Sequence, residues 1–197
     1  MSDFAGIEMP AFALSGLGVA GPHVAYEIDP VARAFIKANH HGVILGFSVA
    51  RRMGTHPPVI DVITAGFPCQ PYSALGLQGG WDDPKGRGDL VTFTIRAILR
   101  ERPSLVVLEN VAGFVRTDGG AILAWLIDKL QHDNLYKVFH KILCTSDLGL
   151  PQSRKRFYLV ALRADTNRHD FVWPSKVDML PLRSLLGSKP ADAAHER

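Results

Sequence analysis

Three short segments of the chain carry side chains suited to covalent catalysis. Cys69 lies within residues 66–73 (GFPCQPYS), Glu109 closes the aliphatic run 104–109, and Arg154 lies in the basic sequence QSRKR. A thiolate is a nucleophile, and a nearby cation lowers its pKa. A desolvated carboxyl group holds its proton towards neutral pH, and an arginine donates paired hydrogen bonds to a planar acceptor. Together these residue types predict a nucleophile, a proton donor and a positioning cation.

Each of these residues also has a plain structural interpretation. A glutamate at the end of a strand more often caps a helix or forms a salt bridge, and a basic turn around Arg154 is usually solvated surface. A free cysteine is usually a small buried residue, which we predict for Cys144 in the middle of a strand. Cys69 differs because prolines flank it and because it follows the end of a strand.

Short apolar runs alternate with amphipathic stretches of helical length, which predicts an α/β fold with a mostly parallel sheet covered by helices. The two last strands have no helix between them, so a turn over residues 147–152 predicts an antiparallel hairpin at the end of the sheet. The expected strands cover residues 23–28, 59–65, 104–109, 137–143 and 157–162, and the expected helices cover 30–39, 89–101 and 119–132.

Ligands of such sheets bind at the carboxyl ends of the strands. Four segments fall there, namely residues 3–8, 27–29, 66–73 and 109–111. The sequence therefore predicts that these segments meet at one edge of the sheet.

The composition is that of a soluble globular protein. The chain has 197 residues, of which 47% are hydrophobic and 21% charged, so we expect one domain over residues 1–186 and a disordered tail over 187–197. No apolar run reaches the ~18 residues of a membrane helix. The N-terminal residues do not resemble a secretion signal, so we expect no membrane association and no secretion.

Two cysteines are too few for a disulfide framework or a cysteine zinc site, so we expect no metal and a reducing compartment. That compartment is the cytoplasm for a prokaryotic or phage protein and otherwise the nucleus. The net charge is +3, and Lys and Arg outnumber Asp and Glu by nine to five over residues 151–197. This local excess permits a polyanionic partner.

A glycine pattern near the N-terminus is misleading. Gly16, Gly18 and Gly21 fit the spacing of a dinucleotide-binding turn, but the pattern follows a helical stretch and precedes a strand. The dinucleotide fingerprint requires the opposite order. We interpret the pattern as a turn that ends a helix.

Three segments of the chain, taken in order, resemble conserved blocks of the DNA (cytosine-5)-methyltransferases. They are GFPCQPYS, then ENV, which starts 40 residues after the cysteine, and then QSRKR. The resemblance extends from Phe4 to about Leu186. It implies a Rossmann-like S-adenosylmethionine-dependent methyltransferase fold. It also implies transfer of a methyl group to C5 of a cytosine that is flipped out of a DNA duplex.

The resemblance implies a role for each catalytic residue. Cys69 would attack C6 of the base as a thiolate, and Glu109 would contact N3 and the exocyclic amine. Arg154 would contact O2 and position Glu109, and Arg156 would support the same cluster. The glycine-rich segment 76–88 matches the family's loop that closes over the flipped base.

The resemblance also implies a pocket for S-adenosylmethionine. In the family, the first conserved block makes a tight turn beside the methionine part of the cofactor. An acidic block after the second strand supplies a ribose acceptor and an aliphatic cover for the adenine. The residues implied are Phe4, Gly6, Ile7, Glu27, Ile28, Pro68 and Leu90.

The chain departs from the family pattern at three places. Glu8 replaces a second glycine, so we expect its side chain to crowd the cofactor. Phe47 stands where the family has an aspartate for the adenine amine. Because only three residues precede Phe4, we expect a clipped or very short first strand.

Family members continue into a target-recognition domain and two further blocks, so we expect a catalytic domain truncated at both ends relative to the family. The implied partners are DNA and a second subunit that carries the target-recognition domain. Two alternatives stay open. One is a transfer RNA cytosine-5 methyltransferase of the same fold, and the other is a non-catalytic accessory protein or truncated remnant.

Overall fold

The described residues form a seven-stranded sheet with helices packed around it. The computed structural model describes residues 1–52, 59–68, 90–166 and 171–186. The strands are β1 (Ser2–Asp3), β2 (His23–Tyr26), β3 (Val43–Gly46), β4 (Val62–Ala65), β5 (Leu105–Val111), β6 (Tyr136–Cys144) and β7 (Lys155–Arg163), and the helices are α1 (Met9–Gly16), α2 (Pro30–Asn39), α3 (Leu90–Glu101) and α4 (Ala121–Gln131).

The strand order is β3-β2-β1-β4-β5-β7-β6. Strands β1 to β5 pair in parallel, whereas β7 pairs antiparallel with both β5 and β6. This arrangement confirms the mostly parallel sheet and the C-terminal hairpin. β1 lies inside the sheet, between β2 and β4, and has two residues, as expected.

The helices begin and end where local signals favour it. Asp29 caps α2 by accepting a hydrogen bond from the Ala32 N–H at 2.8 Å, and Pro30 occupies the first turn. In α4, the residues at four-residue spacing, Ile122, Leu126 and Leu130, are fully buried. α1 ends at Gly16, which confirms that the glycine pattern is a helix-ending turn.

Two features differ from the sequence expectations. β3 was not predicted, because this edge strand has four residues and none of them is buried, so it lacks a clear apolar alternation. Cys144 is not a buried mid-strand residue, since it ends β6 and is half-exposed. Hydrogen bonds from Ser146 lower the pKa of the Cys144 thiol.

A cluster of three aromatic rings lies beneath the carboxyl ends of β4 and β5. Phe67, Phe114 and Phe157 are all buried. The ring centroid of Phe114 lies 5.3 Å from that of Phe67 and 5.2 Å from that of Phe157. Ring pairs at these separations stabilise a core through their faces and edges. The cluster packs Phe67, the second residue after β4, against the core.

A buried ion pair stabilises the short interior strand β1. Arg52 places Nη2 2.5 Å from Oδ1 of Asp3, and Thr94 donates a hydrogen bond to the same carboxylate at 2.8 Å. The guanidinium also lies over the Tyr26 ring, 4.6 Å from its centroid. Since β1 has only two residues, this pair adds side-chain contacts where backbone pairing is limited.

We expect Arg52→Ala to lower the free energy of unfolding by about 3–5 kcal/mol, because it leaves the buried Asp3 carboxylate without its cation. Urea unfolding measures the change. Lys129→Ala, which breaks an exposed pair with Asp128, is the control and should cost less than about 1 kcal/mol. Equal losses for the two variants would contradict a structural role for the buried pair.

Candidate active site

A cavity of about 330 Å³ opens where the ends of β4 and β5 meet the start of β7. Its volume is in the range of small-ligand pockets. Three segments that are distant in sequence contribute to it, and its lining residues are Gly66, Phe67, Pro68, Glu109, Val111, Arg154 and Arg156.

Glu109 presents its carboxylate to this cavity. Arg156 Nε lies 3.0 Å from Oε1 of Glu109. The other carboxylate oxygen, Oε2, lies next to Gly66, 3.5 Å from the position that a Cβ atom would take there. Burial raises the pKa of Glu109, although the positive charges of Arg156 and Arg154 oppose the rise. A carboxyl group with a raised pKa beside two cations can donate a proton to a bound ligand.

The register of β5 and β7 determines which arginine contacts Glu109. Glu109 lies opposite Tyr158, so Arg156 is its diagonal neighbour and is within reach of its carboxylate. The sequence reasoning gave the positioning contact to Arg154. In the structure the direct ion pair belongs to Arg156, and Arg154 lines the same cavity.

Asn110 is a buried residue of the site that the sequence reasoning did not single out. It is 1% exposed, and its Nδ2 donates a hydrogen bond to the Phe67 carbonyl at 3.3 Å. Its Oδ1 accepts from the Val111 N–H at 2.8 Å. A buried amide in an aliphatic strand is costly unless it is hydrogen-bonded, and that cost was the available signal. Asn110 ties the loop after β4 to β5.

Cys69 and the segment 76–88 lie outside the described residues. The chain is described up to Pro68, which lines the cavity.

A second group of predicted residues gathers around Glu27, at the ends of β1 and β2. Oε2 of Glu27 accepts a hydrogen bond from the Gly6 N–H at 2.7 Å. Oε1 accepts hydrogen bonds from the N–H groups of Ile28 and Asp29 at 2.7 and 2.8 Å. Gly6 has a φ of 54°, which favours glycine. These bonds hold the carboxylate at the mouth of the turn after β1.

Of the other predicted cofactor residues, Phe4 and Ile7 lie in the turn after β1, whereas Pro68 and Leu90 lie elsewhere. Phe4 packs against the core, and the Ile7 carbonyl lies 3.0 Å from Nε2 of His40. Pro68 lines the cavity described above, and Leu90 is the half-buried first residue of α3. The structure therefore groups five of the seven predicted residues at the ends of β1 and β2.

The expectation for Glu8 was wrong. Its side chain is fully buried and caps α1 through the Ala11 N–H at 3.2 Å. The carboxylate accepts from Ser2 Oγ at 2.8 Å and lies 2.9 Å from Nε2 of His23, the first residue of β2. Because these partners draw it towards the start of β2, Glu8 points away from Glu27 and does not crowd the turn.

Arg33 is a further residue that the sequence reasoning missed. Its Nη1 donates hydrogen bonds to the carbonyls of Glu27 at 2.7 Å and Gly46 at 2.5 Å. It thereby joins the ends of two neighbouring parallel strands beside the Glu27 carboxylate.

Two absences hold for the described part of the chain. It contains no helix long and apolar enough to cross a membrane. Within the same residues, no three histidine, cysteine or acidic side chains are grouped so that they could hold a metal ion.

The parallel sheet, the antiparallel β7 and the acid-anchored glycine turn define a Rossmann-like methyltransferase fold. The structure is similar to that of a Spodoptera frugiperda DNMT2 mutant, with a TM-score of 0.71 and 25% identity over 97% of this chain and 60% of that one. The fold class predicted from the sequence is confirmed.

The chain belongs to the C-5 cytosine-specific DNA methylase family, whose model matches residues 1–194. It is 36% identical to the type II methyltransferase M.MspI of Moraxella sp over 77% of this chain and 35% of the relative. It is 32% identical to M.HpaII of Haemophilus parainfluenzae over 90% of this chain and 49% of that relative. The resemblance found in the sequence is confirmed, and the chain spans between a third and a half of these relatives.

Proposed function

We propose that this chain is the catalytic portion of an enzyme that transfers a methyl group from S-adenosylmethionine to C5 of cytosine in DNA. The observation that carries the proposal is the cavity where Pro68, the residue before Cys69, lies with Glu109, Arg154 and Arg156. Family membership supports the same reaction. We assign the catalytic domain to residues 1–186.

The chain's own residues activate the base. The thiolate of Cys69 attacks C6, a carbon–sulfur bond forms, and the C5–C6 π electrons move to C5. Glu109 protonates N3 as negative charge develops on the ring, a step that its raised pKa favours. The two arginines hold Glu109 and the base O2 by charge-assisted hydrogen bonds.

S-adenosylmethionine supplies, when bound, an electrophilic methyl group for C5. After C5 is methylated, its proton passes to solvent, the C5–C6 double bond re-forms and the Cys69 thiolate leaves. The Glu109 carboxylate takes back the proton from N3. The cytosine ring and the enzyme are thereby restored, with one methyl group added.

The residues around Glu27 fit the cofactor. The Glu27 carboxylate accepts hydrogen bonds from three backbone N–H groups, which pre-organises it to accept hydrogen bonds from ribose hydroxyls. The positive φ of Gly6 lets the turn after β1 come close to a ligand. Ile28 is 60% exposed beside it and offers an apolar face to adenine.

DNA is the proposed substrate, and a second subunit with a target-recognition domain is the proposed partner. The chain spans 35% and 49% of the length of the two relatives. Reading a DNA sequence requires contacts to base edges in a groove. We assign those contacts to the partner.

Calorimetric titration of the 197-residue chain with S-adenosylmethionine tests the cofactor site. We expect micromolar binding, weakened about tenfold in Glu27→Gln because a charged hydrogen-bond acceptor is lost. Asp128→Asn, on the exposed face of α4, is the control and should bind like the parent. A folded parent that does not bind would favour the non-catalytic alternative.

Methyl transfer to two substrates then tests the reaction. With a subunit that supplies target recognition, we expect labelled methyl groups to enter duplex DNA and not transfer RNA. Transfer to transfer RNA alone would overturn the DNA assignment and support the alternative of the same fold.

A further inference from the structure

A larger cavity, of about 650 Å³, lies at the edge of the sheet opposite the candidate active site. It opens at the amino ends of β1 to β4 and at the carboxyl ends of α1 and α2. It shares no lining residue with the candidate active site, and none of the proposed cofactor residues lines it. Its volume is in the range of sites that bind small organic molecules.

The cavity has apolar walls. Phe12 on α1, Val19 in the turn after that helix and Val59 before β4 all line it, and they are 68%, 52% and 69% exposed. Ile60, which follows Val59, lines it too and is buried. Exposed apolar side chains gathered around one cavity provide contact area for the apolar part of a ligand.

Two histidines add hydrogen-bond acceptors to the lining. Nε2 of His23 lies 2.9 Å from the Glu8 carboxylate, and Nε2 of His40 lies 3.0 Å from the Ile7 carbonyl. An ionised carboxylate and a carbonyl only accept, so each Nε2 carries a proton, and Nδ1 of the uncharged ring is then an acceptor. Both histidines line the cavity, which therefore favours a ligand that donates hydrogen bonds.

The charges around the cavity favour a cation. Asp61 lines it, and neither lysine nor arginine is among the described residues that do so. The carboxyl ends of α1 and α2 add partial negative charge. The Met1 amine donates to the Val62 carbonyl at 2.8 Å, and burial lowers the pKa of this amine, which reduces its positive charge at neutral pH.

A buried carboxylate lies behind the cavity. Glu8 is fully buried, and its Oε2 has no hydrogen-bond partner among the described residues. His23 links this carboxylate to the cavity, because it contacts Glu8 and also lines the cavity. Charges interact more strongly in a buried environment than in water, so Glu8 adds to the attraction for a cation.

We propose that this cavity is a second ligand site, and that it binds a protonated organic amine. The ammonium group lies near Asp61 and His23, and the apolar part packs against Phe12 and Val59. An ammonium group has three donors and no acceptor, so it matches a lining of ring nitrogens and a carboxylate, whereas an anion would be repelled there. The inference does not depend on the proposed function, since the two sites share no residue.

Three probes of the same chain length test the proposal on the 197-residue chain. Hexylammonium, hexanol and hexanoate are titrated at about pH 8, where an alkylammonium is charged, and backbone amide shifts are followed by NMR. We expect hexylammonium to bind with a dissociation constant of about 1–10 mM, and about tenfold more tightly than either other probe. The shifts should concentrate in residues 39–43 and 59–62, which line or adjoin the cavity.

Variants separate the charge of the site from its apolar walls. Asp61→Asn should weaken hexylammonium about fivefold and leave hexanol unchanged, because it removes a charge and keeps the shape of the side chain. Asp128→Asn, which removes an exposed carboxylate on α4, is the matched control and should bind like the parent. Phe12→Ala should weaken hexylammonium and hexanol alike.

Four results would overturn the proposal. They are equal binding of hexylammonium and hexanol, preferred binding of hexanoate, equal effects of Asp61→Asn and Asp128→Asn, and no shift with any probe in the folded chain. Each of them leaves the proposed function standing, because that function is tested with S-adenosylmethionine and DNA at other residues.

Discussion

Cys69→Ser is expected to lower methyl transfer by about a thousandfold or more, because a hydroxyl is a far weaker nucleophile than a thiolate at neutral pH. The same change should abolish the covalent adduct with a duplex that contains 5-fluorocytosine. Fluorine at C5 prevents the loss of a proton there, so the attacking group stays bonded to C6. A denaturing gel resolves the adduct by its size.

The chain provides its own control for this experiment, since Cys144 is its only other cysteine. Cys144 ends β6 and accepts a hydrogen bond from Ser146 Oγ at 3.1 Å. Cys144→Ser should form the adduct as the parent does. An adduct that persists in Cys69→Ser, or one that disappears in Cys144→Ser, would contradict the assignment of the nucleophile.

Glu109→Gln is expected to slow methyl transfer by about a hundredfold or more, because an amide cannot transfer the proton that N3 requires. Affinity for duplex DNA should change by less than about threefold, since the amide keeps most of the carboxyl group's hydrogen-bonding capacity. Single-turnover transfer and a binding titration separate the two quantities. Equal losses in both would argue against a proton-donor role.

The pH profile gives an independent measure of the same group. Burial raises the pKa of Glu109 above its ordinary value of 4.5, so the parent should lose activity as the pH rises through the folded-state pKa. Glu109→Gln should lack this declining limb. Asp128→Asn, which alters an exposed carboxylate on α4, should keep it.

The same raised pKa of Glu109 should make the folding stability of the chain depend on pH. A raised pKa means that ionised Glu109 opposes folding above its folded-state pKa, whereas below its ordinary pKa both folded and unfolded chains are protonated and the penalty vanishes. Glu109→Gln should therefore raise the thermal midpoint at neutral pH and lose this advantage in acid. Loss of the Arg156 ion pair limits the gain.

Much of the fold followed from local patterns. The alternation of apolar runs with amphipathic stretches predicted the parallel sheet, and Ile122, Leu126 and Leu130 are buried on one face of α4 as their spacing indicated. The missing helix between β6 and β7 predicted the antiparallel hairpin. β3 was missed because none of its four edge residues is buried, so they show no alternation of buried and exposed positions.

The sequence by itself determined the family and the kinds of side chain at the site, because a nucleophile, an acid and two arginines are visible as residue types in a fixed order. Only the tertiary structure decided which groups touch. The register of β5 and β7 paired Glu109 with Arg156, and burial turned Glu8 towards His23 and away from the glycine turn. Such contacts join residues far apart in the chain, and strand register and burial set them.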